Sequence, residues 1–210
     1  MERGVPMPDN AVSLNPKARE HLRGALLRGD RAAAAAMLAG GCAEALRHEK
    51  NAVLRALTAR NLAGQTPFCQ LTAAAQAAAA LADETLPPVA CCGALRGNTS
   101  AASHDYMLML LRAWGLPALD LGVDVPTDGF LRAIAEHGLR FAVCAAFSGA
   151  DMDCVREIDA EAARRGLRGN FRLAVCGASL DAAALSGLPV DCPEYKTAAV
   201  AEWMVRIWKG

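Results

Sequence analysis

The feature that most constrains this chain is an alternation that begins at Val89. Runs of strand character at Val89–Leu95, Pro117–Gly122, Arg140–Phe147 and Phe171–Ala178 alternate with helical segments. The first three helices fall at Ser100–Trp114, Pro126–His137 and Asp151–Arg165, with Asp151 or Asp153 as the N-cap of the third. A short helix at Ser179–Leu185, a fifth strand at Leu188–Cys192 and a last helix at Tyr195–Trp208 complete the pattern. Strands that are apolar throughout cannot leave one face in water. Helices must cover both faces, which is the arrangement of a doubly wound parallel α/β sheet. In such sheets ligands lie outside the carboxyl ends of the strands, near a switch in strand order. The loops after Leu95, Phe147 and Gly177 are therefore expected to surround any site.

The residues before Val89 follow a different period. Asn15-Pro16 opens a helix that ends near Gly29, and Asp30 caps a second that runs to Gly40-Gly41. A third spans Ala43 to Leu62 and stops at Gly64, and Thr66-Pro67 opens a fourth through Leu81. Short connections suggest a four-helix bundle. Leu86-Pro87-Pro88 resists helix and reads as a linker, giving a helical unit at 1–86 and an α/β unit at 87–210.

Lys+Arg and Asp+Glu number 22 each, so neither a basic nucleic-acid footprint nor an acidic tail is present. The hydrophobic fraction of 53% supports a sizeable core, although 46 of the 210 residues are alanine. Ala73–Leu81 is too short and too alanine-rich to span a bilayer, and the N-terminus lacks a signal layout, so a cytoplasmic protein is expected. None of the eight cysteines forms a CxxC pair. They read as buried reduced thiols rather than a zinc or redox site. No Ser/His/Asp, Cys/His or paired-carboxylate cluster recommends a particular catalytic reaction.

Two stretches carry a resemblance. Cys92-Gly93-Ala94-Leu95-Arg96-Gly97-Asn98 is followed by a helix, by Gly115, and then by DLGVDVP at Asp120–Pro126. This resembles the cobalamin-binding domain of corrinoid proteins, the methyl carriers of corrinoid-dependent methyltransferase systems, to which methionine synthase has a related module. The resemblance covers roughly residues 17 to 208. It implies a helical cap before a Rossmann-like (flavodoxin-like) domain, a corrinoid cofactor and methyltransferase subunits as partners.

The family's signature is Gly-Asp-x-His-x-x-Gly, in which His coordinates cobalt and Asp bonds the other ring nitrogen. Without gaps, this chain has Gly97, Asn98, Thr99, Ser100, Ala101, Ala102 and Ser103 there. Asn98 replaces the Asp, Ser100 the His and Ser103 the Gly. The family's Ser-x-Leu after the third strand is Ala145-Ala146-Phe147 here, with Ser148 just beyond, and its Gly-Gly after the fourth is Cys176-Gly177. In the family these two places receive the cofactor tail, and the Cys176 side chain is expected to intrude on backbone approach.

The resemblance therefore implies cofactor contacts at Gly97, Asn98, Thr99, Ser100, Ser103, Ala145, Phe147, Ser148, Cys176 and Gly177, with no metal ligand from the signature. Small polar residues would leave a slot below the corrin ring for the cofactor's own base, or leave the cobalt open below. Moving the motif to His104-Asp105 shortens the next helix by four residues and gives up Gly97, so His104 reads as a surface or packing residue. Other outcomes stay open: a different large planar or nucleotide-tailed ligand, or a corrinoid-free regulatory or partner-binding module. Trp203 and Trp208 read as sheet-packing residues, with an exposed homodimer patch as the alternative.

Overall fold

The computed structural model describes residues 14–40, 43–82, 86–147 and 149–209. Helix α1 (Pro16–Arg28) starts where Asn15 Oδ1 accepts the Ala18 N–H at 2.9 Å and ends at Gly29, whose φ is 70°. Asp30 caps α2 (Arg31–Gly40) by accepting the Ala33 N–H at 2.9 Å. Helices α3 (Ala43–Leu62) and α4 (Phe68–Ala79) follow. A Cβ at Gly29 would sit 3.0 Å from that of Ala73, so the end of α1 rests closely on α4. All four helices pack on one another, and α4 also packs on α5 (Ala102–Trp114) of the next unit.

Strands β1 (Ala90–Leu95), β2 (Ala118–Val125), β3 (Phe141–Ala145) and β4 (Arg172–Cys176) form a parallel sheet in the order β2-β1-β3-β4. The chain leaves β1 for one side and reaches β3 on the other, so the switch in direction lies between the carboxyl ends of β1 and β3. Every residue of β1 and β3 is buried, as their unbroken apolar runs require.

Alternate residues serve two cores. Ala90, Cys92, Ala94, Val143 and Cys176 join Met107, Leu110 and Leu111 of α5 and Val200 and Met204 of α9 (Thr197–Lys209). Cys91, Leu95, Cys144 and Val175 join Phe130 and Ile134 of α6 (Thr127–His137) and Val155 and Ile158 of α7 (Gly149–Arg164). The first core continues into Leu22, Leu54 and Leu71 of the N-terminal helices. Each fully buried leucine contributes about 1.5–3 kcal/mol, so this shared core ties the two units together.

Some expectations change. Among the described residues the sheet has four strands, not five. The segment 188–192 lies beside β4 but builds no ladder. The Asp191 N–H donates to the Leu173 carbonyl at 2.8 Å, and the Asp191 carboxylate accepts the Leu173 N–H at 2.7 Å. A side chain takes the place of a backbone acceptor, and Pro189 has no N–H to offer. Strand β2 runs on to Val125 through a bulge at Cys92/Gly93 opposite Asp120/Gly122. The Asp151 carboxylate lies in the first turn of α7 and accepts the Phe147 N–H. Trp203 is buried and meets Phe141 edge-on at 6.2 Å, the packing role expected of it, and Trp208 is half-buried on the same core.

The cysteines follow the sheet. Cys91, Cys92, Cys144, Cys176 and Cys192 are buried free thiols, Cys154 is half-buried and Cys69 is exposed, while Cys42 lies outside the described residues. Burial pushes the thiols of Cys91 and Cys176 up to about 12. No described helix is long and apolar enough to cross a membrane.

Candidate functional site

The site is built from the turns that leave β1, β3 and β4. After β1 the chain passes through Gly97 with φ 84°, a conformation that only glycine adopts without strain. Three hydrogen bonds hold this turn in place. The Gly97 N–H donates to the Asp124 carboxylate at 2.7 Å, and the Asp124 N–H donates to the Asn98 carbonyl at 3.1 Å. The Asn98 Nδ2 donates to the Ala145 carbonyl at 3.3 Å. The turn is thus fastened to the end of β2 on one side and of β3 on the other.

Asn98 suits this position because its amide is both donor and acceptor. While Nδ2 serves Ala145, its Oδ1 accepts the Ser100 N–H at 3.0 Å. A carboxylate would set an oxygen against the Ala145 carbonyl. Asn98 is buried, whereas Thr99 and Ser100 are exposed at the lip of the turn.

Ser103 lies on the other side of the same helix start. With Ala102 and Tyr106 it lines a cavity of about 470 Å³. The opposite wall is Gly177, Ala178 and Leu180 after β4, then Tyr195 to Ala198 at the start of α9. Asn61, Leu62 and Phe68, from the end of α3 and the start of α4, close the top. The volume falls in the range of small-molecule sites, roughly 300–1,000 Å³.

Most of the lining is apolar. Asn61 Nδ2 donates to the Thr66 carbonyl at 2.9 Å. The Tyr106 Oη is buried and has no hydrogen-bond partner among the described residues. Burial pushes the Tyr106 phenol up to about 12, so it stays neutral. The Phe68 ring lies 4.6 Å from the Tyr106 ring, tilted by 56°, and remains 57% exposed.

Of the expected cofactor contacts, Ser103 and Gly177 meet in this cavity, and Gly97, Asn98, Thr99 and Ser100 form the adjoining turn. Ala145 is buried and contributes its carbonyl. Phe147 is 60% exposed and does not line the cavity, and Ser148 lies outside the described residues. Cys176 is buried in the α5/α9 core beside Thr197 and does not line the cavity. Its intrusion on the site is not observed, because at the end of β4 its side chain points down into that core. Gly177 is demanded by the chain itself: a Cβ there would fall 2.1 Å from the Ala146 carbonyl oxygen.

His104 faces away from the cavity and is buried. Its Nε2 meets Asp120 Oδ1 at 2.8 Å, and its Nδ1 meets Asp105 Oδ1 at 3.0 Å. The same Asp120 oxygen accepts the Gly122 N–H, so His104 clips α5 to the bulge of β2. Both ring nitrogens are engaged. Among the described residues no group of three or more His, Cys, Asp and Glu side chains could hold a metal ion.

Two residues escaped the sequence reading. Asp124 sits inside the DLGVDVP stretch, and its φ of 56°, unusual for a non-glycine residue, is what places its carboxylate under Gly97. Tyr106 follows Ser103 by three residues and so shares its helix face, a signal that was available.

No family model and no curated protein matches this chain. Solved structures do match its fold. A cobalamin-binding protein from Desulfitobacterium hafniense DCB-2 is 16% identical, with a TM-score of 0.76 over 90% of this chain and 97% of that one. The methanol:cobalamin methyltransferase complex MtaBC from Methanosarcina barkeri is 17% identical, with a TM-score of 0.73 over 99% of this chain and 87% of that one. The monomethylamine corrinoid protein of Methanosarcina barkeri is 18% identical, with a TM-score of 0.53 over 89% of this chain and 96% of that one.

Proposed function

We propose that the protein binds a corrinoid between its α/β unit (87–210) and its helical cap (1–86), and carries methyl groups for a methyltransferase partner. The observation that carries this reading is the cavity at the carboxyl ends of the strands, in a fold shared with a protein described as cobalamin-binding, a corrinoid protein and a methanol:cobalamin methyltransferase complex. The residues present fit such a group. A mostly apolar cavity bordered by Ser103 and Gly177 would take the cofactor's tail, and the turn at Gly97–Ser100 would offer only small groups to the ring. When bound, the corrinoid supplies a cobalt centre that accepts and releases a methyl group.

The chain's own part in this reading is to hold, orient and shield. Asn98 and Asp124 hold the turn that would face the ring, Ser103 and Gly177 would border the tail, and Phe68 would shield it. The turn would offer a bound corrinoid no imidazole. Ser100 is too short to stand in for an imidazole, and both nitrogens of His104 are engaged by carboxylates. The lower ligand would then come from the cofactor's own base or be absent.

The test is to incubate the purified protein with hydroxocobalamin, desalt it and record the visible spectrum. Retained stoichiometric colour is expected. A colourless protein with an intact fold by circular dichroism would overturn the proposal and favour a corrinoid-free partner-binding module. The closed hydrogen bonding of the Asn98 turn, which needs no ligand to be complete, is the observation on that side.

A further inference from the structure

We infer that a second cavity, between α4, α5 and β2, is a binding site for a small organic anion, a carboxylate or phosphate on an apolar body, held by Arg31 and Arg112. The inference stands apart from the corrinoid reading, because this cavity shares no lining residue with the first.

The cavity measures about 930 Å³, at the upper end of the range for small-molecule sites, roughly 300–1,000 Å³. Four elements wall it: Arg31 comes from α2, Gln76 from α4, Arg112 from α5 and Leu119 from β2. Helix α5 presents Ser103 and Tyr106 to the first cavity. Asp105, Leu108, Met109 and Arg112, at three- and four-residue spacing, form a different stripe of that helix and face the second.

The polar side chains divide into engaged and unengaged. Asp105 and Asp120 both hold His104, and Asp120 also accepts the Gly122 N–H. Arg31, Gln76 and Arg112 make no side-chain hydrogen bond or ion pair among the described residues. The unengaged groups are mainly donors, five N–H on each guanidinium and two on the amide. A cavity with spare donors and engaged carboxylates selects a ligand that accepts. Arginine meets a carboxylate or a phosphate through two parallel hydrogen bonds.

Charge is unevenly placed along the cavity. Asp105 precedes Arg112 on α5 by two turns, about 10 Å along the helix axis. Gly115 lines the cavity just beyond Arg112, and the buried Lys50 amine lies 3.7 Å from where a Cβ on Gly115 would stand. Basic groups thus gather near the end of α5 and carboxylates near its start, which draws an anionic head towards Arg112. Leu108 and Met109 lie between these ends and are only half-buried. An apolar body laid against them removes their exposed surface from water, whereas a bare inorganic anion leaves it wet.

The experiment titrates the full chain, free of corrinoid, with phenylbutyrate, phenyl phosphate and phenylbutanol, read by isothermal titration calorimetry. The two anions differ in head group, and the alcohol has the body without the charge. At least one anion is expected to bind tenfold or more tightly than the alcohol, about one charge-assisted contact or better. The tighter of the two identifies the head group. Arg31→Gln and Arg112→Gln alter exposed positions and preserve the fold. Each should weaken that anion about three- to tenfold, the loss of one charged partner at a partly open site, and leave the alcohol unchanged. Added NaCl should weaken the anion as well. Both variants should retain hydroxocobalamin to the same extent as the native protein.

No binding of either anion, equal affinity for the alcohol, or an anion affinity unchanged in either arginine variant would overturn the inference, whatever the protein does with a corrinoid. A variant that loses the anion and hydroxocobalamin together would merge the two cavities into one site and overturn it as well.

Discussion

Gly97 and Asp124 are joined by a 2.7 Å hydrogen bond from the glycine N–H to the aspartate carboxylate, and both residues have positive φ, 84° and 56°. Two left-handed residues, one in the turn after β1 and one near the end of β2, thus brace each other at the mouth of the site. A non-glycine residue in this region costs of order 1 kcal/mol or more, and the two hydrogen bonds, one from the Gly97 N–H to the Asp124 carboxylate and one from the Asp124 N–H to the Asn98 carbonyl, offset that cost. Asp124→Ala keeps the strain and loses the acceptor. It should lower stability by about 1–2 kcal/mol in urea unfolding, whereas Asp124→Asn, which retains an acceptor oxygen, should stay close to the native value. Equal effects for the two would remove the brace from this account.

Gly177 permits no side chain. With a Cβ only 2.1 Å from a backbone oxygen, Gly177→Ala must move either the turn after β3 or the turn after β4. A loss of more than about 2 kcal/mol is expected, together with weaker corrinoid retention because one cavity wall shifts. Chemical denaturation followed by the reconstitution assay checks both.

His104 serves structure rather than ligation. His104→Ala leaves Asp105 and Asp120 facing each other without the imidazole between them and opens a gap between α5 and β2. Stability should fall by about 2–4 kcal/mol. In the fraction that folds, the spectrum of bound corrinoid should not change. A changed lower-ligand signature would make His104 a ligand after all.

Asn98→Asp sets a carboxylate against the Ala145 carbonyl in a buried position. The single change should cost about 1–3 kcal/mol at neutral pH. The sign follows from desolvation and carbonyl repulsion, which raise the new carboxyl's folded pKa above its unfolded value. The loss is full above the folded pKa and recovers as the pH falls and the acid is protonated. Adding Ser100→His supplies a hydrogen-bond partner and should restore part of the stability. It should also move the spectrum of bound corrinoid towards a histidine-ligated form. An unchanged spectrum with cofactor bound would show that position 100 does not lie beneath the ring.

Thiol labelling of the native protein at pH 8 should separate the cysteines by burial. Cys69 is exposed and Cys154 half-buried, so these should react first. Cys91 and Cys176, with thiols pushed up to about 12, should react only at the rate of unfolding. Peptide mapping after iodoacetamide treatment reads this directly.

The parts of the fold that were legible are those governed by local chemistry. Asn15 with Pro16, Asp30 with Ala33, and Gly29, Gly115 and Gly138 with φ of 70°, 75° and 61° mark helix ends through caps that a sequence displays. The buried strands were legible because β1 and β3 are apolar on both faces. The segment at Leu188–Cys192 carries the same residue types, yet an aspartate side chain replaces its backbone pairing, which composition does not reveal. At the site, Ser103 and Gly177 were named from the resemblance, and both line the cavity. Cys176 was misplaced because the direction of one side chain at a strand end decides between core and cavity. Asp124 matters through a long-range neighbour, Gly97, that no local pattern discloses.

Helix α4 buries Leu71, Ala74, Ala75, Ala77 and Ala78, so four of these five inward side chains are single methyl groups. Such a surface lets backbones approach closely but adheres weakly. At about 25 cal/mol per Å² of apolar area, a seam of methyls releases far less on separation than one of leucines of the same length. The inward side of α4 therefore sits close to its neighbours through little area per residue. A larger side chain at any of these four alanines has no room to enter without displacing what surrounds it.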